Sequence, residues 1–101
     1  MLQSAEKVLV YSQNNKEHFL GSALVKDAVV RNFQVMGEAC KKVSETTTNK
    51  YVDIPWSKIA KFRDKLVHDY FGVNYDLMWD VIQKELPKII VQLNQVISEL
   101  E

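Results

Sequence analysis

With 101 residues, 47% of them hydrophobic, the chain is long enough for one domain with a packed core and too short for two. Its 13 basic and 13 acidic side chains cancel, which argues against a histone-like protein that holds nucleic acid by bulk positive charge but leaves room for a local basic site. The single cysteine, Cys40, excludes an intrachain disulfide and a thiolate metal site within one chain.

The apolar residues of the first half recur at helical spacing. They predict a helix over residues 1–12, a turn over 13–16 and a long helix over about 22–44. Gly37 lies inside the apolar stripe of the long helix, where glycine costs about 1 kcal/mol relative to alanine, so we expect another helix to approach closely there. Residues 46–50 hold three threonines and an asparagine, which predicts that the helix has ended.

A second pair of helices is expected after a loop at residues 51–55. Pro55 suits the first turn of a helix over 55–69, and Gly72 is expected to stop it. Asn74 is the predicted N-cap of the next helix.

Pro87 interrupts the apolar pattern of the C-terminal segment, which predicts either a kink or the start of a last helix. No segment shows the period-two pattern of a strand. We therefore expect an all-α bundle of four to five helices. No apolar run approaches the ~18 residues of a membrane span, and no signal peptide is visible, so a cytoplasmic protein without membrane contact is expected.

Three side chains between residues 57 and 70 suit phosphodiester chemistry. Arg63 carries a planar fork of donors that fits phosphate, and His68 can exchange a proton near neutral pH. Tyr70 adds a hydroxyl and an aromatic face. Metal-free RNA cleavage needs a base for the 2′-hydroxyl, a cation for the phosphorane and an acid for the leaving 5′-oxygen. The segment therefore predicts such a cleavage site.

Helical geometry favours a dimer for this chemistry. Positions 63 and 68 lie roughly 140° apart around a regular helix, so one helix makes a poor complete site. Two copies facing each other across a twofold axis would bring two arginines and two histidines into one groove. A homodimer is therefore expected.

Further polar residues are candidates for RNA contact. Lys61 and Lys65 have the charge to contact the RNA backbone, although such lysines are often just a solvated helix face. Arg31, Asn32 and Glu38 on the long helix could line the dimer groove or be ordinary exposed residues. Both alternatives stay open for each group.

The pattern Arg-x4-His-x-Tyr at Arg63, His68 and Tyr70 resembles that of the HepT toxins of the HEPN superfamily, the partners of minimal nucleotidyltransferase antitoxins. The similarity extends over most of the chain. The segments that carry it are 27–32, 36–39, 54–56, 66–73 and 85–87, together with Trp79.

The resemblance implies a single HEPN domain over residues 1–101 that forms a homodimer with the ribonuclease site at its interface. It implies that Arg63 and His68 are the catalytic pair, with Asp64 as the polar residue that usually follows the arginine. Tyr70 is implied to be the residue to which the partner nucleotidyltransferase attaches AMP to silence the toxin, as in type VII toxin–antitoxin pairs. No metal or other cofactor is expected. The first helix is shorter than is usual in the family.

Two other functions compete with the ribonuclease. The same bundle could be a non-catalytic module that binds a nucleotide or docks a nucleotidyltransferase, or a purely structural helical dimer with an accidental motif. In those cases Arg63 is a salt-bridge residue, His68 favours the C-terminal dipole of its helix, and Tyr70 is a packing residue.

Overall fold

The computed structural model describes residues 1–68 and 73–100, and all the regular structure in these two ranges is helical. The expected all-α class is therefore confirmed. Within these ranges, seven α-helices and one π-helical turn follow in chain order: α1 (Leu2–Ser12), α2 (Lys16–Gly21), α3 (Ala23–Lys41), α4 (Glu45–Lys50), α5 (Trp56–His68), α6 (Tyr75–Asp80), the π-helical turn (Val81–Glu85) and α7 (Leu86–Leu100).

Helix α3 is central to the packing. It makes the most extensive contacts of the bundle, with α5 on one side and α1 on the other, and α1 also contacts α7. Their apolar faces meet in one core, whose fully buried members include Val8, Val29, Met36 and Leu86. Burial of such side chains is the main force that holds helices together. None of the helices in the described ranges is both long and apolar enough to cross a membrane.

The long helix ends earlier than predicted, at Lys41 rather than near Ser44, and α4 occupies the segment that was expected to be non-helical. Ser44 is the N-cap of α4, because its Oγ accepts a hydrogen bond from the N–H of Thr47 at 3.2 Å. The same hydroxyl donates to Oγ1 of Thr47 at 3.0 Å. A capped first turn thus offsets the weak helix propensity of the threonines.

Helix α2 is a second short element that the sequence pattern did not predict. Asn15 begins it by accepting the N–H of His18 at 3.0 Å. The helix carries Phe19 into the core, where its ring stacks on Trp79 with 5.8 Å between the centroids and meets the edge of Tyr75 at 6.3 Å. These aromatic contacts fix α2 against α6.

The start of α6 agrees with its prediction. Asn74 is the N-cap, since its Oδ1 accepts the N–H of Leu77 at 3.0 Å. The predicted stop of the preceding helix at Gly72 lies outside the described residues.

The interruption at Pro87 takes the form of the π-helical turn. A proline inside a regular α-helix removes one hydrogen bond, and its ring clashes with the carbonyl four residues earlier, here that of Gln83. That carbonyl belongs to the π-helical turn, whose wider ring is closed by the N–H of Leu86 and the carbonyl of Val81. Helix α7 then begins at Leu86, so the second of the two predicted alternatives is confirmed.

Candidate active site

Helices α3 and α5 come unusually close together at Gly37. A Cβ atom built on this glycine would lie 2.1 Å from Cβ and 2.7 Å from Cγ of Arg63, and 3.3 Å from the carbonyl oxygen of Ile59. The close approach expected at Gly37 is therefore confirmed, and the side chain that fills the space is that of the predicted catalytic arginine. One turn later, Sγ of Cys40 lies 3.3 Å from the carbonyl oxygen of Trp56, which joins the same two helices.

The guanidinium of Arg63 is held by carboxylates from both helices. Its Nη2 lies 3.2 Å from Oε2 of Glu38 on α3, and its Nη1 lies 3.1 Å from Oδ1 of Asp64 on α5. Its Nε is buried and has no hydrogen-bond partner in the described part of the chain. The side chain as a whole is 26% exposed. The guanidinium is thus oriented, with its outer edge accessible.

Asp64 joins two cations at this position. It forms ion pairs with Lys41 of α3 and with Arg63. The hydrogen bond from Lys41, with a second one from Arg63, lowers the pKa of the Asp64 carboxyl below its ordinary value. Asp64 therefore stays ionised at neutral pH and balances part of the positive charge around Arg63.

The exposed edge of Arg63 faces a shallow groove of about 370 Å³ between α3 and α5. The groove also contains Arg31, so the predicted catalytic arginine and one of the candidates for RNA contact lie on it together. Val35 and Val67 line it as well, with 39% and 41% of their surfaces exposed. The remaining lining residues are Gln34, Glu38, Ala39 and Lys42. The groove therefore combines cationic groups that fit phosphates with accessible apolar side chains.

Other predicted site residues lie away from this groove. Lys61 and Lys65 are each two positions from Arg63, or roughly 200° around α5, and are exposed on the opposite side of the helix. Asn32 donates from Nδ2 to the carbonyl oxygen of Ala28 at 2.8 Å, along its own helix. None of these three residues therefore lines the groove beside Arg63.

The other two members of the motif are His68 and Tyr70. His68 is the last residue of α5, and its side chain lies outside what the structure describes. Tyr70, the predicted modification site, also lies outside the described residues. The proposed roles of both residues stay predictions.

Two lysines at the C-terminal end of α3 were missed by sequence reasoning: Lys41, its last residue, which pairs with Asp64, and Lys42, its C-cap, which lines the groove. A signal for Lys41 was present, because it follows Gly37 by four positions and so shares the helix face that meets α5. Lys42 has no comparable signal, since its place depends on the exact crossing of the two helices.

The side-chain composition of the described ranges also bears on the binding of a metal ion. No group of three or more histidine, cysteine, aspartate or glutamate side chains in these ranges could hold one. Burial raises the pKa of the Cys40 thiol, so this group is protonated at neutral pH. The chemistry that the described site can offer is anion binding and charge stabilisation by guanidinium groups.

Several known proteins with similar sequences carry names that describe them as ribonucleases. A protein of Methanocaldococcus jannaschii named "Putative RNase" is 39% identical over 85 residues, covering 84% of this chain and 70% of its own. A second "Putative RNase", from Caldanaerobacter subterraneus subsp. tengcongensis, is 37% identical over 83 residues, covering 82% and 74%. A "Probable ribonuclease HepT" of Thermococcus cleftensis is 34% identical over 73 residues, covering 72% and 66%.

No solved structure gives a significant match to the chain. The family profile described as "Ribonuclease HepT-like" matches residues 1–96, which include Gly37, both helices of the groove and the whole Arg-x4-His-x-Tyr segment. Together with the relatives, this match shows that the chain belongs to the HepT-like ribonuclease family.

Proposed function

We propose that the chain is a metal-independent endoribonuclease toxin, a single HEPN domain over residues 1–101 that acts in the cytoplasm as a homodimer. Arg63 and His68 carry the cleavage. The observation that supports this most directly is the accessible guanidinium of Arg63, fixed on a groove that also contains Arg31. Membership of a ribonuclease family supports RNA as the substrate.

The proposed reaction is an internal transesterification. The 2′-oxygen loses its proton and attacks the adjacent phosphorus, the bond from phosphorus to the 5′-oxygen breaks, and that oxygen gains a proton. Arg63 stabilises the negative charge of the phosphorane, and His68 transfers a proton as base or acid. The products are a 2′,3′-cyclic phosphate and a 5′-hydroxyl.

A second copy of the chain completes the site in this proposal. Residues 63 and 68 lie roughly 140° apart around α5, so they do not share one side of the helix. This favours a site that combines Arg63 of one protomer with His68 of the other. Val35 and Val67, partly exposed beside charged residues of the groove, offer apolar surface that a second protomer would cover. Both valines line the groove that contains Arg63, so the twofold contact is proposed there.

The supporting residues act at different distances from the scissile phosphate in this proposal. Arg31 contacts a phosphate next to the scissile one, because it shares the groove with Arg63. Asp64 keeps the Arg63 guanidinium oriented through its contact with Nη1. Lys61 and Lys65 contact more distant phosphates, and Asn32 contacts the RNA outside the groove.

We further propose that a cognate minimal nucleotidyltransferase silences the toxin, as in type VII toxin–antitoxin pairs. The Tyr70 hydroxyl loses its proton to solvent and its oxygen bonds to the α-phosphorus of ATP. The bond from that phosphorus to the β-phosphate oxygen breaks, so pyrophosphate leaves and AMP stays attached to the tyrosine oxygen. The new phosphate then pairs with Arg63 in place of the scissile phosphate. Full ribonuclease activity in Tyr70-adenylylated protein would contradict this proposal.

The decisive experiment is RNA cleavage in EDTA by wild type and by Arg63→Ala and His68→Ala, alone and mixed. We expect each variant to lose about 10²-fold to 10⁴-fold in rate. Refolding the two variants together should restore cleavage, because a mixed dimer keeps one intact arginine and one intact histidine. Activity that needs a metal, survives either substitution, or fails to return in mixed dimers would contradict the composite site.

One observation favours the docking module as a second candidate. Both Nη atoms of Arg63 already contact carboxylates, as in a purely structural ion-pair network. A pure protein that binds the nucleotidyltransferase tightly but leaves RNA intact would establish that function instead.

A further inference from the structure

The position of Arg63 depends on a residue without a side chain. Gly37 is buried in the middle of α3, and any Cβ there would overlap Cβ and Cγ of Arg63. These two atoms form the base of the arginine side chain, and the third neighbour is the backbone oxygen of Ile59. None of the three is a flexible side-chain end that could move aside. A larger residue at position 37 must therefore push α5 away from α3 or turn Arg63 out of its place.

The far end of the same side chain is held by the next residue of α3. Oε2 of Glu38 lies 3.2 Å from Nη2, and Oδ1 of Asp64 lies 3.1 Å from Nη1. A guanidinium has five N–H donors, so these two described contacts leave each Nη with a second hydrogen for a phosphate oxygen. The carboxylates therefore orient the fork without using up its capacity to bind an anion.

The charge of Glu38 is a disadvantage for binding RNA. Its side chain is 48% exposed and lines the groove in which the phosphates are proposed to lie. A carboxylate in this place repels a polyanion. Its effect on substrate affinity is therefore opposite to its effect on the orientation of Arg63, and kinetics can separate the two.

We propose that Gly37 and Glu38 are positioning residues for Arg63. Gly37 leaves the space that Cβ and Cγ of Arg63 occupy, and Glu38 orients the Arg63 guanidinium toward the scissile phosphate. This inference rests on the proposed ribonuclease function. Neither residue touches the reacting atoms.

The test compares kcat and KM for cleavage of one short RNA by Glu38→Gln and Glu38→Ala. Glutamine keeps a polar oxygen at the position of Oε2, beside Nη2, but removes the charge, whereas alanine removes both. We expect kcat to fall about ten-fold or more in Glu38→Ala and to recover most of the way in Glu38→Gln. KM should fall in both variants, since each removes the repulsion of the RNA.

Two controls separate orientation from folding and from bulk charge. Thermal unfolding midpoints of both variants are expected to match that of the wild type, because Glu38 is exposed. Glu6→Ala, on an exposed position of α1, should change neither kcat nor KM. Wild-type kcat in Glu38→Ala would overturn the role of Glu38, as would a rise of KM that accounts for the whole loss of activity.

Gly37→Ala tests the other end of the side chain, with Gly21→Ala as its matched control. A Cβ at Gly21, the last residue of α2, meets no atom within 4 Å. We expect kcat to fall on the order of 100-fold in Gly37→Ala and to stay unchanged in Gly21→Ala. Folded Gly37→Ala with wild-type kcat overturns the role of Gly37, and if this variant does not fold, the Glu38 pair decides the proposal.

The same experiment separates this inference from the proposed function. If wild type does not cleave RNA, or Arg63→Ala cleaves as well as wild type, the proposed function fails and the inference fails with it. If cleavage depends on Arg63 but not on Glu38 or Gly37, only the inference is overturned.

Discussion

Phe19 is fully buried although it belongs to a helix of only six residues. Its ring is stacked on Trp79 and meets the edge of Tyr75, so it links α2 to α6. A six-residue helix is too short to be stable on its own in water. The contacts of this one ring are therefore a main reason why α2 forms at all.

Phe19→Ala should destabilise the protein by roughly 3–5 kcal/mol, the usual cost of deleting a buried aromatic ring. Urea unfolding followed by circular dichroism measures this change. Leu24→Ala is the matched control, since Leu24 is 80% exposed and its truncation should change stability by less than about 0.5 kcal/mol. Similar losses for the two variants would contradict the role given to Phe19.

At the scale of single residues, the sequence predicts what depends on local chemistry. The cost of a mid-helix glycine pointed to a close helix contact at Gly37, and that contact exists. The residue on the other side of the contact, Arg63, was found only in the structure, because pairing across helices depends on their crossing. The same limit explains why Lys42, which lines the groove, was missed.

At the scale of elements, a capping side chain marks where four of the described helices begin: α2, α3, α4 and α6. Asn15, Ser22, Ser44 and Asn74 each accept a backbone N–H from their own first turn. The long amphipathic helices were predictable from their periodicity, whereas α2 and α4 were not, because six residues are too few to show a period. The π-helical turn was also missed, since a proline marks an interruption without specifying its form.

Asn74→Ala should cost about 1 kcal/mol, because it leaves the N–H of Leu77 without its side-chain acceptor. Asn94→Ala provides the control for the same chemical change. Asn94 is exposed inside α7, where alanine is the better helix former, so stability should stay level or rise slightly. Chemical denaturation of both variants checks the prediction, and an equal loss in the two would show that the cap contributes nothing specific.

At the scale of the whole molecule, the accessible surface of the groove between α3 and α5 carries both charged residues and exposed valines. The sequence predicted Arg63 as the motif arginine and indicated Arg31 as one candidate for the groove, and the structure brings these two residues to the same groove. It also places Lys61 and Lys65 elsewhere, because a two-residue step changes the side of a helix. The roles of His68 and Tyr70 stay predictions of the sequence motif.

Val35→Asp should convert the proposed dimer into monomers and abolish cleavage, since a twofold contact would bury two new carboxylates face to face. Light scattering coupled to size-exclusion chromatography measures the mass in solution. Val91→Asp is the matched control: Val91 is 68% exposed on α7, away from the groove, and its substitution should leave the mass unchanged. A Val35→Asp variant that remains dimeric would place the interface on another surface.

The rate at which the Cys40 thiol reacts can report how tightly α3 and α5 pack around Arg63. The thiol is 5% exposed, and its Sγ contacts the carbonyl oxygen of Trp56 one turn from Gly37. Burial also raises the thiol pKa, which disfavours the reactive thiolate while the two helices are packed together. We expect slow alkylation of the native protein, with faster labelling in Gly37→Ala. Mass spectrometry would then follow the transient separation of α3 and α5 at the groove without any introduced label.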